Sequence, residues 1–493
     1  MNLLRNSEIS KKIQRHDRLL LIGTIATIAG LFGSFALVGL SPRFIITAIN
    51  QYVVTYTPAL IVRWTILLLG DAGHYLHIGL SILLGIGLFS VITVTGLYLG
   101  IDRDEPLLGG IFSSLFGIGL AYILTGSVVS AIGYGVPVFI VITFAPPEGD
   151  PTPDLNRRST LKAIAGMIGS GGLAAVFGNR TQIKAGNTLS ETAAIESQLQ
   201  LARQRSLDIE GIDPLVSNGF YEVDINSVNP TVQRDKWSLQ ITGEVEQKRE
   251  FSFEELRNKP REHRFNTLRC VGDPLNGRKM DNALWTGTPI QPLLEQARPK
   301  SGCECVMLRA VDDYYEEFPL EALRQGFLAW GMNGRFLPRR HGYPVRALIP
   351  GHWGEINVKW LTEIEILDKE ALGFWEKRGW HGTGPVNTVA KLHAVNHLSD
   401  GSVEIGGHAY AGLRGIQNVE VSTDGGETWN DAVLSETLPD EDTWRMWRYT
   451  FKPSGKQTVV VRAIDGTGTL QPRKRSNAYP SGATGWVQMT VSE

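Results

Sequence analysis

Cysteine is scarce in this chain. Only Cys270, Cys303 and Cys305 occur in 493 residues, too few for a disulfide framework and in no zinc-finger spacing. An excess of one charge is also missing: the formal net charge is −2, which leaves no electrostatic footprint for nucleic acid. The hydrophobic content of 43% looks ordinary, but it averages two unlike halves. From Leu19 to Ala145 charged residues are rare and apolar runs are long, whereas from about Gln182 onward acidic and basic residues are mixed, with many Trp and regular Gly/Pro punctuation.

Leu19–Leu40 and Ile78–Gly100 are uncharged stretches long enough for about 30 Å of hydrocarbon. Leu107–Ala145 has room for two spans, with a break near Gly126–Ser127, and Leu161–Gly178 is a fifth, short, Gly-rich stretch. Five spans are therefore expected. Arg5, Lys11, Lys12, Arg15 and Arg18 hold the N-terminal tail in the cytoplasm, and Arg103, Arg157 and Arg158 fall in loops assigned to the same side. Only Arg43 and Arg63 fall outside, so the soluble half is expected beyond the membrane. Asn156-Arg157-Arg158-Ser159-Thr160-Leu161-Lys162 is similar to a twin-arginine export signal, with Thr160 where that pattern usually has Phe; a plain basic stop at a helix end is the alternative. Pro58–Gly70, with Arg63 at its middle, reads as an interfacial or re-entrant helix. His74 and His77 sit at one helix end, a poor arrangement for bis-His ligation, and no haem is expected.

Asn187–Arg205 has helix formers but no strong apolar stripe and reads as a linker or stalk. Trp237–Val245 alternates like a strand, Phe253–Arg257 starts a short helix, and Phe265–Val271 is a second strand carrying Cys270 near its end. Helices are expected at Ile290–Gln296 and Leu320–Gln325, giving a mixed α+β domain. After about Thr388 the pattern changes to turn-separated strands: Lys391–Val395, Ser402–Ile405, Ile416–Ser422, Arg445–Phe451 and Gln457–Ile464. These suggest an immunoglobulin-like β-sandwich. The expected organisation is thus multi-domain: an N-terminal transmembrane helical bundle over 1–180, a linker over 181–208, an α+β domain over 209–386 and the sandwich over 387–493.

Phe265-Asn-Thr-Leu-Arg-Cys270-Val-Gly, His341-Gly-Tyr-Pro-Val-Arg346 and Val358-Lys359-Trp360-Leu361 together resemble the sulfite oxidase family of molybdenum enzymes. Leu328-Ala-Trp-Gly-Met-Asn-Gly334 and Gly379-Trp380…Gly384-Pro385 add to the resemblance. Ile416 to Trp429, Trp444-Arg-Met-Trp447 and Arg462-Ala-Ile-Asp-Gly466 are similar to that family's C-terminal dimerisation domain. The resemblance runs from about Asp213 to the end. It implies a molybdenum–molybdopterin cofactor with Cys270 as metal ligand and catalytic residue. It also implies pterin contacts from Asn226, Asp312, His341, Arg346, Asn357, Val358 and Lys359, the match at Asn226 being the looser one. Physical chemistry agrees: a thiolate suits a soft redox metal, and Arg and Lys suit a phosphate dianion.

On the substrate side the chain departs from the family. Trp330 stands at the family's tyrosine, Leu275 at an arginine five residues after the metal-binding cysteine, and Asp224 at another arginine. Trp330, Leu275 and Tyr314 are candidate pocket residues, and they make the pocket more apolar than sulfite needs. The expected function is a membrane-anchored molybdopterin oxidoreductase performing two-electron oxygen-atom transfer. An S-oxide or N-oxide reductase fed by membrane electrons is the alternative, and a silent membrane-tethered binding module is a third. With no Cys-x-x-Cys-His run, no cytochrome b5-like segment and no flavin or nicotinamide fingerprint, the electrons are expected to pass to or from an external redox protein or membrane carrier. A homodimer fits the sandwich. Cys303 and Cys305, two apart on a strand, are expected to share one face without bridging.

Overall fold

The computed structural model describes residues 2–69, 72–101, 105–144 and 192–492, with isolated positions at 164, 165, 167, 170 and 189. The twin-arginine-like run and nearly all of Leu161–Gly178 lie outside the described residues. The chain forms two compact units: 1–184 with 224–231, and 185–223 with 232–493.

The first unit is helical: α1 (Asn2–Val38), α2 (Ile45–Tyr56), α3 (Ala59–Leu69), α4 (Ala72–Ile101), α5 (Pro106–Thr125) and α6 (Val128–Phe144). Among the described residues, His16–Val38, Tyr75–Gly100 and Leu107–Thr125 are long and apolar enough to cross a membrane. The 17 residues of α6 rise only about 26 Å, so three helices meet the criterion where five spans were expected. The break between α5 and α6 is made by Gly126, whose φ of 60° ends α5 in the left-handed conformation. The 11 residues of α3 are too short to span. Close helix contact is bought with small residues: at Gly33 a side chain would collide with the Gly133 carbonyl of α6. Thr27 donates to Thr93 at 3.1 Å, and Ser34 and Ser130 share a hydrogen bond of 2.8 Å. Leu83, Val91 and Ile123 point outward and are largely exposed.

In the second unit, the stretch expected as a linker or stalk contains helix Thr192–Arg205. Ile195 and Ala202 are both buried, seven residues apart and hence on one face; two apolar positions suffice to dock the helix, a stripe too sparse to stand out among its polar neighbours. Beyond it come two five-stranded sheets. One runs β2 (Arg249–Ser252), β1 (Ser238–Gly243), β10 (Leu361–Ile366), β5 (Cys305–Ala310), β6 (Tyr315–Pro319). The other runs β3 (Glu262–Arg269), β4 (Met280–Pro289), β7 (Phe327–Met332), β8 (Arg335–Phe336), with β9 (Arg346–Leu348) also on β7. Helix Phe253–Arg257 starts with a capping box in which Ser252 and Glu255 each bond the other's backbone N–H.

The C-terminal region is a two-layer antiparallel sandwich. β11 (Val389–Ala390), β12 (Ala394–His397), β13 (Val403–Tyr410), β16 (Val433–Leu434) and β17 (Arg445–Phe451) form one sheet; β14 (Ile416–Ser422), β15 (Asn430–Asp431), β18 (Gln457–Asp465) and β19 (Val487–Val491) form the other. Between them lie Ile405, Val419, Val421, Trp447, Val459 and Val461, all buried.

One expectation is overturned at β5. Cys303 and Cys305 are disulfide-bonded, with Cα atoms 5.2 Å apart. The strand starts only at Cys305, and Glu304 takes a left-handed φ of 53°, so the backbone curls instead of extending and turns the two side chains together.

Candidate active site

Strands β3 and β4 pair antiparallel from Glu262↔Gly287 to Arg269↔Met280. The connecting loop, 270–279, therefore begins with Cys270 at the end of a buried strand. Its mouth is closed by the Cys270 N–H donating to the Lys279 carbonyl at 3.0 Å, and the Asp273 N–H donates to the Cys270 carbonyl at 3.1 Å. Cys270 is the free cysteine and is partly exposed. Gly272 lies beside the sulfur, and a Cβ there would make ordinary contacts of 3.7 Å with it and 3.6 Å with the Trp380 ring. Burial pushes the thiol up to about 11; Lys279 opposes that, while Asp273 and Glu355 add to it. Such a thiol keeps its proton until a metal cation replaces it. The donor fits a thiolate-bound metal.

A second group of residues is cationic. His341 is buried, and its pKa falls to about 3 through burial and then through Arg346, Lys359 and Arg340. Arg346, on β9, donates to the His341 carbonyl at 3.3 Å and to the Asn357 carbonyl at 2.9 Å, with its guanidinium 5.2 Å from the Trp285 ring. Asn357 accepts from the Ile349 N–H at 2.7 Å and donates to the Trp353 carbonyl at 2.9 Å. The Val358 carbonyl accepts from the Ala347 N–H at 2.9 Å. Lys359 donates to the Arg340 carbonyl at 3.1 Å. Asp312 accepts from the Tyr314 N–H at 3.3 Å; burial raises it to about 6 while Lys359 lowers it. Cations that raise one another's energy in this way favour an anion among them. The set fits the phosphate end of a pterin cofactor.

Tyr221 was missed by sequence reasoning; its ring stacks on Phe220 at 5.5 Å, and Phe220 lies 5.6 Å from the His341 ring. Burial holds its phenol well above 10; negative charge at Cys270 would add to this and Arg346 opposes it. Its backbone N–H is fixed by Asp281 at 2.8 Å, and its hydroxyl occupies the space a side chain at Gly354 would need. Glu355 was also missed. Burial, Glu376 and their shared hydrogen bond hold its carboxyl well above the usual range. Neither residue belongs to a motif with recognisable spacing, so only the fold could have pointed to them.

The other candidates are dispersed. Tyr314 is half-buried, and its hydroxyl donates to the Glu355 carbonyl at 2.9 Å. Trp330 is fully buried within β7 and is the residue skipped where the β4–β7 register shifts, a core position. Leu275 packs against the core of the sandwich. Asn226 falls in 224–231, the segment grouped with the helical unit, whereas Cys270 and Arg346 belong to the other unit.

A partly exposed free thiol at the end of a strand in an α+β scaffold, a cluster of His341, Arg346 and Lys359, and a following β-sandwich together fit a molybdopterin-binding oxidoreductase with a dimerisation domain. Residues 226–375 match the oxidoreductase molybdopterin-binding domain and 385–486 match the Mo-co oxidoreductase dimerisation domain. The chain is 25% identical to sulfite oxidase from Arabidopsis thaliana over 324 residues, 53% of this chain and 82% of that one. Against mitochondrial sulfite oxidase from Homo sapiens it is 28% identical over 298 residues, 49% of this chain and 54% of that one. With NADH nitrate reductase from Solanum lycopersicum it shares 26% over 322 residues, 50% and 35% of the two chains. The solved sulfane dehydrogenase SoxCD from Paracoccus pantotrophus aligns with a TM-score of 0.47 at 20% identity, covering 64% of this chain and 96% of that one. The chain spans most of the plant relative but about half of the human one. It belongs to the sulfite oxidase family of molybdopterin-dependent oxidoreductases, and its cofactor is molybdenum–molybdopterin.

Proposed function

We propose that the chain is a membrane-anchored enzyme that transfers an oxygen atom between water and a substrate less anionic than sulfite, with two electrons passing to an external carrier. The observation that supports this reading is geometric: the Tyr221 hydroxyl and the Arg269 carbonyl, one residue before Cys270, both border Gly354, while the neighbouring Phe220 ring lies 5.6 Å from that of His341. The cofactor, when bound, supplies the two-electron chemistry. Cys270 would hold the metal as its thiolate. Arg346, His341 and Lys359 would hold the phosphate, with Asn357, Val358 and Asp312 completing the pterin's surroundings. Tyr221 would orient the substrate oxygen, and Glu355 would hold a proton at its carboxyl oxygen.

Leu275 packs against the sandwich core and Asp224 falls in the other unit, so the preference for a substrate less anionic than sulfite rests on the absence of arginine at these two positions. The sandwich is read as immunoglobulin type and as the surface for a homodimer. The three span-length helices, with their exposed apolar side chains, support the anchor. Lys/Arg placement supports an extracytoplasmic catalytic domain, as does the Cys303–Cys305 bond, which an oxidising compartment would preserve. The helical unit also favours a second reading, reduction of an S-oxide with electrons taken from the membrane.

Elemental analysis of the chain purified from membranes tests the assignment: about one molybdenum per chain is expected. A Cys270→Ser variant that turns over like wild type would remove the mechanism. Supplying reduced quinone or oxidised cytochrome separates the two directions.

A further inference from the structure

The loop that carries Cys270 is gripped by the other domain. Asp273, at its centre, is fully buried, and so are Arg269 and Lys391. One oxygen of Asp273 accepts from the Lys279 N–H at 3.0 Å. The other is ion-paired with Lys391, which precedes β12 in the sandwich, and lies 3.8 Å from the Arg269 guanidinium. Lys391 also donates to the Gly277 carbonyl at 2.7 Å. Next to it, Asn276 donates to the Leu392 carbonyl at 2.7 Å and accepts from the Leu392 N–H at 2.8 Å. A side chain at Gly277 would collide with the Asp273 carboxylate. The Lys391 backbone is itself fixed, its carbonyl accepting from the Trp447 indole at 3.0 Å. Arg269 reaches the same domain, donating to the Asn387 and Ala483 carbonyls at 3.1 Å each.

A buried ammonium is costly unless fully paired, and this one is paired only when the 270–279 loop is in place. We propose that Lys391 of the sandwich is a positioning residue for the metal ligand: through Asp273 and Gly277 it sets where the Cys270 sulfur stands, so that the dimerisation domain governs the geometry of the metal–sulfur bond. This rests on the family reading of the Cys270 site. Asp273 is the positioning partner, and neither residue touches the reacting atoms.

The test uses the full chain in detergent, as wild type, Lys391→Met, Lys391→Arg and Asn276→Ala. Molybdenum per chain and the Mo(V) paramagnetic signal after partial chemical reduction are read for each. Cys270 alkylation by iodoacetamide is timed on metal-free protein. Lys391→Met is expected to lower molybdenum content about ten-fold, as loss of a ligand's supporting partner does, with an altered Mo(V) signal in the loaded fraction and faster alkylation; Lys391→Arg should recover part of each. Wild-type content, signal and alkylation rate in Lys391→Met would overturn the proposal. Should that variant not accumulate as folded protein, Asn276→Ala decides it, because it frees the loop from Leu392 without unpairing a buried charge: an unchanged signal and rate sink the idea. A wild-type chain without molybdenum defeats the family reading instead, and the alkylation rates still judge the role of Lys391.

Discussion

Asp442→Asn should abolish a pH dependence of stability that the wild-type fold carries. Asp442 is buried beside Tyr410, whose hydroxyl lies 2.6 Å from one carboxyl oxygen and 3.0 Å from the Thr267 carbonyl. The other oxygen accepts from the Gly351 N–H at 2.9 Å. Burial raises this carboxyl from 3.8 to about 7, outweighing the donors from Tyr410, Gly351 and Asn266 that favour its ionised form. The folded state binds the proton more tightly than the unfolded state, so the stabilisation is complete below pH of about 4 and is lost as pH rises through about 7. At 1.36 kcal/mol per unit, that amounts to about 4 kcal/mol across the window, an order-of-magnitude figure. Asparagine can donate to Tyr410 and accept from Gly351 without titrating. Guanidinium unfolding of the full chain in detergent, followed by tryptophan fluorescence between pH 5 and pH 9 in both proteins, would show the variant gaining stability relative to wild type as pH rises. Parallel curves would refute the reasoning.

Arg346→Met should lower pterin retention about ten-fold, measured as released pterin fluorescence per chain, because it removes the bidentate donor from the cation cluster. Tyr221→Phe should leave molybdenum content unchanged and reduce turnover about ten-fold or more once a substrate is found; unaltered kcat would remove its role in orienting substrate. Ser252→Ala should cost about 1 kcal/mol in the same unfolding assay by breaking the capping box. Gly33→Leu should impair assembly of the helical unit, read as lower yield from membranes, since the side chain would meet the Gly133 carbonyl directly.

Much of the architecture was legible in the chain because it is written in local patterns. The apolar runs of α1, α4 and α5, the alternation of β14 and β18, the Phe253–Arg257 helix with its cap, and the strand that ends at Cys270 all follow from spacing that neighbouring residues share. Cys270, His341, Arg346 and Lys359, the residues proposed to hold the cofactor, stand in short motifs, so they too could be proposed from sequence. Tyr221, Glu355 and Lys391 could not. Each is brought to the Cys270 loop from a distant part of the chain, and each has its meaning from burial: a phenol, a carboxyl and an ammonium withdrawn from water act on whatever charge is near, at a strength no local pattern encodes. The Cys303–Cys305 bond belongs with them, since one left-handed residue at Glu304 turned a strand expectation into a curled loop. Residue types and periodicities determined which elements form and which cofactor chemistry is available; tertiary packing decided which buried charges meet around the Cys270 loop, because that depends on the low-dielectric interior that only the assembled domains create.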